Sequence, residues 1–233
     1  MTHGRPTLLL LPGLDGSAQL FDWFNAQFPA DQPYKVVAYP ADTPANLDAF
    51  ARLAEAIAGD ASKVVVVAES FSGPVALRVM ARSRLDIAGS VFVASFARSP
   101  NPMLQLGRVL PISTITPFVH SESVLKAACV GWDARKDIVD RLKRVLSALP
   151  PGVLRARLDM LRDLDESVAL SLATIPMLYL RATHDRLVTK DCARDFLNVP
   201  RCQTREVSGP HFLLQSRPAE CWKIISTWLR TIA

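Results

Sequence analysis

The stretch Val64-Val-Val-Val-Ala-Glu-Ser-Phe-Ser-Gly-Pro74 concentrates the residues best suited to chemistry. A run of valines that reads as a buried strand passes directly into a small-Xaa-Ser-Xaa-small turn and then into a helix. Such a turn is a nucleophile elbow, in which backbone strain projects a serine hydroxyl above the sheet at the start of a helix. Positions two before and two after the serine must be small, because the strand and helix backbones nearly touch there. Around Ser70 these positions are Ala68 and Ser72, with Gly73 following. Were Ser72 the nucleophile, the second small position would fall on Pro74, whose ring is bulky at a tight contact. With Ser70, Pro74 falls in the first helical turn, where a missing N–H costs nothing. Ser70 is therefore the candidate nucleophile. It needs a neighbouring base to take its proton, and the chain offers four histidines: His3, His120, His184 and His211.

Elements that could position these groups alternate along the chain. Thr7–Leu11, Lys35–Tyr39, Val64–Ala68, Ser90–Ala94 and Met177–Leu180 are nearly continuous apolar runs, with a weaker one at Gln203–Val207. Runs without polar alternation suit strands buried on both faces, as in a parallel sheet. Amphipathic stretches separate them. Ser17 is placed to cap a helix carrying Leu20, Phe21, Phe24 and Phe28. Thr43 and Pro44 read as N-cap and N1 of a second helix, which buries Leu47, Phe50, Leu53 and Ile57 and stops at Gly59. Val75, Val79 and Met80 mark a third helix, Ala193–Leu197 a fourth, and one near Pro218 buries Trp222, Ile225, Trp228 and Leu229. This alternation predicts a doubly wound α/β sheet with right-handed crossovers. Residues 97–171 break the pattern: helical stretches punctuated by prolines, with no convincing strand. They read as a helical cap inserted in a single domain of residues 1–233, covering the carboxyl edge where open α/β sheets bind ligands.

Composition excludes several classes. The chain has 233 residues, 49% hydrophobic and 21% charged. A chain of that size buries roughly three quarters of its unfolded surface and needs no metal or disulfide staple. It is not disordered or low in complexity. No apolar run approaches the ~20 residues of a membrane span, and the start Met-Thr-His-Gly-Arg does not resemble a secretory signal. Four cysteines (Cys129, Cys192, Cys202, Cys221) lack metal spacing and read as free thiols in a reducing cytoplasm. The net charge of +5, from 27 Lys and Arg against 22 Asp and Glu, is scattered rather than striped. Nucleic acid is not an expected partner, while acidic substrates or an acidic carrier protein stay open.

Four segments together resemble the α/β-hydrolase fold family, in the chain order nucleophile, acid, histidine. Leu8-Leu-Leu-Leu-Pro-Gly-Leu-Asp-Gly-Ser17 is similar to the family's first oxyanion loop, with Pro12 in place of a histidine. The elbow at Ser70 is the second, although it lacks both usual glycines. Ile175-Pro-Met-Leu-Tyr-Leu-Arg-Ala-Thr-His-Asp-Arg-Leu-Val188 resembles the strand and loop of the acid. Ser208-Gly-Pro-His-Phe-Leu-Leu-Gln-Ser-Arg-Pro218 resembles the histidine loop before the last helix. The chain starts almost at the Leu8 strand, so the antiparallel hairpin that often opens this fold is expected to be missing, leaving a mostly parallel sheet of about six strands.

The resemblance implies roles. His211 is the candidate base; His3 lies in the terminal tail, His120 in the helical stretch and His184 beside the candidate acid. Asp185 would orient His211 and stabilise its imidazolium, with Asp191 better suited to a helix start. The backbone N–H groups of Leu14 and Phe71 are implied as the oxyanion hole. Glu69 is left between a bond to a neighbouring loop and tuning of the histidine. Phe96, Met103, Leu104, Leu106, Phe118 and Trp132 offer apolar surface for a substrate pocket, or simply pack the cap. The expectation is a cofactor-independent serine hydrolase acting on a small ester or thioester through an acyl-enzyme. The alternative is a ligand receptor or signalling protein of the same fold with little turnover.

Overall fold

The computed structural model describes residues 5–42, 45–100 and 121–232. Its centre is a six-stranded sheet, built from β1 (Thr7–Leu11), β2 (Tyr34–Val36), β3 (Val64–Glu69), β4 (Ile87–Val93), β5 (Met177–Ala182) and β6 (Cys202–Val207). The strand order is β2-β1-β3-β4-β5-β6, and all five pairings are parallel. The apolar runs become strands for the reason read from sequence: alternate side chains feed two cores. Leu9, Leu11, Val64, Val66 and Ala68 enter one, while Leu8, Leu10, Val65 and Val67 enter the other.

Helices cover both faces. On the first lie α2 (Leu47–Ala58) and α3 (Ser72–Arg82), through Phe50, Ala54, Val75 and Val79. On the second lie α1 (Asp22–Asn25) and the C-terminal helix Pro218–Ile232, through Phe24, Ile225 and Trp228. Trp222 is only half-buried and packs edge-on to Phe24. Ser17 caps a short 3₁₀ turn, Ala18–Phe21, its Oγ accepting from the Gln19 N–H. The expected cap of α2 is corrected. The helix begins at Leu47, and Asn46 is its N-cap, accepting from the Ala49 N–H at 2.8 Å. Asn is at least as good a cap as Thr; Thr43 and Pro44 lie outside the described residues. The second strand is likewise shorter than Lys35–Tyr39, because beyond Val36 the chain peels away and bonds singly to Leu10 and Gly16.

The helical stretch leaves and rejoins the sheet at one place. Arg98 and Asp165 form an antiparallel bridge, reinforced by Ser99 N–H to Leu164 O at 3.0 Å and Glu166 N–H to Ala97 O at 2.8 Å. Between these points the described elements are helical: α4 (Glu122–Leu125) running into a π turn, α5 (Lys136–Ser147) and α6 (Pro151–Met160). Leu125, Val130, Ile138, Val139, Leu142 and Val145 share a small core of their own with Leu20. Among the described residues, no helix is long and apolar enough to cross a membrane.

Candidate active site

Strand β3 ends at Glu69, and Ser70 follows with φ +48°, the left-handed region that a residue with a Cβ enters only when its surroundings impose it. The imposition is visible. The Ser70 N–H donates to Val93 O at 2.9 Å, and its carbonyl accepts from Ser95 Oγ at 2.6 Å and from the Gly73 N–H at 3.1 Å. Helix α3 then packs so closely on the chain after β4 that a Cβ on Gly73 would strike Ser95 Oγ and lie 2.7 Å from Phe96 O. The competing serine is fully engaged. Ser72 Oγ donates to Pro12 O, so the Tyr39 hydroxyl at 2.5 Å must donate to Ser72, and burial keeps that phenol protonated. Ser72 thus fastens the elbow to the end of β1.

His211 and Asp185 arrive on loops after β6 and β5. The loops are stitched together by Thr183 N–H to Val207 O at 3.1 Å and His184 N–H to Gly209 O at 3.0 Å. His211 is 3% exposed. Its Nδ1 lies 2.7 Å from Asp185 Oδ2, and its Nε2 lies 2.8 Å from Ser70 Oγ. Asp185 Oδ1 meanwhile accepts from the N–H groups of Leu187 and Val188 at 2.8 and 2.9 Å. A carboxylate can only accept, so Nδ1 carries the ring proton and Nε2 presents its lone pair to the serine hydroxyl. His184 is exposed and turns to Thr183 instead.

Leu14 and Phe71, the two expected oxyanion donors, both line the cavity beside Ser70, and among the described residues neither N–H has a protein acceptor. The loop carrying Leu14 is held by a residue that the sequence reading did not single out. Arg157 of α6 is 1% exposed and donates to Leu14 O and Pro40 O, each at 2.8 Å. It lies against Gly16 (φ +69°), where a Cβ would come within 2.8 Å of the guanidinium carbon. A signal existed: Leu154, Arg157 and Leu161 are spaced three and four apart, so the arginine lies on the helix's apolar stripe.

Two carboxyl groups line the cavity together with Ser70. Glu69 is 2% exposed; its Oε2 accepts from Gln215 Nε2 at 3.2 Å, while Oε1 has no partner among the described residues. Burial, followed by the nearby Asp15 charge, pushes its pKa up to about 8. Asp15, also buried, accepts from the Ser17 N–H, and desolvation holds it above the usual carboxylate range. Glu69 therefore bonds toward the last helices, and among the described residues it has no hydrogen bond to His211.

These groups open into a cavity of about 390 Å³. Of the expected pocket residues, Phe96 lines it. Trp132 does not: it follows Gly131 (φ +85°) at a turn and stands 63% exposed, outside the cavity. Met103, Leu104, Leu106 and Phe118 lie outside the described residues. The cysteines form no disulfide; Cys129 lines the cavity, and burial pushes its thiol up to about 12. 

No curated protein matches this chain. Solved structures do. An esterase from Thermogutta terrifontis is 19% identical with a TM-score of 0.80, covering 98% of this chain and 90% of its own. An enol-lactonase from Burkholderia xenovorans is 13% identical with a TM-score of 0.79, covering 98% and 92%. MenH from S. aureus is 14% identical with a TM-score of 0.79, covering 99% and 96%. At such identities these likenesses speak to the fold. A family model described as the alpha/beta hydrolase family matches residues 6–224, so the chain belongs to the alpha/beta hydrolase family.

Proposed function

We propose that the protein is a serine hydrolase that cleaves a carboxylic ester or thioester of a small molecule through an acyl-enzyme. The observation that carries this reading is the unbroken chain from Ser70 Oγ through both ring nitrogens of His211 to Asp185, at 2.8 and 2.7 Å. Ser70 Oγ attacks the substrate carbonyl while His211 Nε2 takes its proton. The resulting oxyanion is assigned to the backbone N–H groups of Leu14 and Phe71, residues that line the cavity beside Ser70. The imidazolium, stabilised by Asp185, then protonates the departing alcohol or thiol. Water repeats the sequence on the acyl-Ser70 ester, with His211 again as base. No step calls on a cofactor.

The helices between Ala97 and Ser171 act in this reading as a cap, since Leu125, Leu154, Leu158 and Leu161 form part of the cavity wall. The structural similarity to the Thermogutta terrifontis esterase agrees with the reading. Turnover of p-nitrophenyl esters tests it. Wild-type protein should give steady multiple turnovers, whereas a receptor would give at most one slow event. Ser70→Ala and His211→Ala should each abolish turnover to a similar degree, because such groups act as a unit, with the fold intact by circular dichroism. Wild-type rates in Ser70→Ala would refute the assignment.

A further inference from the structure

The cavity beside Ser70 has a polar end and an aliphatic body. Among the described residues its polar lining consists of Asp15, Glu69, Ser70, Cys129 and His211, grouped with the loops that carry Ser70 and His211. Most of the rest of the lining is apolar, with Leu125, Leu146, Leu154, Leu158, Leu161 and Leu187 the largest share. Among the described lining residues there is no Lys or Arg, so these walls offer no cation to a phosphate, a sulfate or a second carboxylate. Burial holds the Cys129 thiol neutral and, below about pH 8, the Glu69 carboxyl as well. An apolar, uncharged guest is what such walls solvate.

Size narrows the guest. A cavity of about 150 Å³ lined by aliphatic side chains holds benzene, or roughly 25 Å³ per carbon. On that scale the 390 Å³ here corresponds to about fifteen carbon atoms. The reacting carbonyl and the first atoms of the leaving group occupy the Ser70 end. The remainder fits an alkyl chain of about 8 to 12 carbons.

We infer that the cavity binds the unbranched aliphatic acyl chain of a medium-chain ester or thioester, with any charged part of the substrate outside it. This inference rests on the hydrolase reading for its chemistry but not for its occupancy. Each methylene moved from water into such walls favours binding by roughly fourfold. Over the p-nitrophenyl esters from acetate to hexadecanoate, kcat/KM should therefore climb at least 100-fold by decanoate. It should fall again at hexadecanoate, which exceeds the room available.

Leu158→Trp, which adds bulk to the wall, should reduce the decanoate-to-acetate ratio of kcat/KM at least tenfold. Occupancy is read separately in Ser70→Ala, which needs no turnover: 1-decanol should raise its Tm, and 1-butanol at equal concentration should not. A kcat/KM highest for acetate or butyrate, or no Tm shift with decanol, overturns the inference and leaves the hydrolase reading standing. Decanol binding without hydrolysis of any ester supports the occupancy while sinking the hydrolase reading.

Discussion

Glu69 offers the sharpest prediction, because its burial converts directly into a pH-dependent stability. The carboxyl titrates near its ordinary value of 4.5 when the chain is unfolded and at about 8 when folded. Below pH 4.5 it is neutral in both states. Between 4.5 and 8 the unfolded chain gives up the proton and the folded chain retains it, so stability falls as pH rises; above 8 both forms are ionised and the slope vanishes. At about 1.4 kcal/mol per pH unit, the full window is worth roughly 5 kcal/mol. Glu69→Gln removes the titration while keeping the shape and the oxygen that accepts from Gln215 Nε2. Urea unfolding of both proteins at half-unit steps from pH 4.5 to 9 isolates the effect. Contributions from groups that do not interact with Glu69 cancel in the difference. The variant should gain on wild type progressively through this window, by about 3–5 kcal/mol at pH 8.5. Activity should echo it, with wild-type kcat/KM declining above pH 8 as a negative charge develops on Glu69 next to Ser70, and the variant lacking that decline. A stability difference that stays flat from pH 5 to 9 would refute the reasoning, since it would mean that Glu69 is ionised throughout.

Three further substitutions probe separate parts of the machinery. Asp185→Asn leaves the hydrogen-bond geometry in place but lets the ring proton move to Nε2; kcat should drop by ~10⁴ with little change in Tm. Gly73→Ala drives a Cβ into Ser95 Oγ and Phe96 O; because one obstacle is backbone, the elbow must shift, and ester hydrolysis should fall at least 100-fold while the sheet's circular dichroism persists. Arg157→Met deprives the carbonyls of Leu14 and Pro40 of their donor, at about 1–3 kcal/mol for each buried group left unpaired. Urea titration should record that loss, and kcat should fall because the Leu14 N–H is no longer held in place.

Much of this arrangement can be read from residue types alone, for reasons that differ by residue. The central strands are legible because burial on both faces leaves uninterrupted valines and leucines; the edge strand β2 is legible in its existence but not in its bounds, since only three of its residues pair and two of those are exposed. Ser70 is legible from the steric demand on Ala68, Ser72 and Pro74, and that demand reappears as the Gly73–Phe96 contact. Asp185 and His211 need more than local pattern: they lie 26 residues apart and meet through loop-to-loop hydrogen bonds. Arg157 was hidden because a cation on an apolar stripe is explained only by the carbonyls of distant Leu14 and Pro40. Trp132 misleads in the opposite sense. Its size suggests a pocket wall, whereas the turn at Gly131 carries it into solvent.

The reaction of the protein with a fluorophosphonate, followed by mass mapping of the labelled peptide, interrogates activation and identity together. One adduct should form, on the peptide containing Ser70, and it should vanish in Ser70→Ala and form far more slowly in His211→Ala. An adduct on Ser72 or elsewhere, or equal labelling with and without the His211 imidazole, would contradict the account.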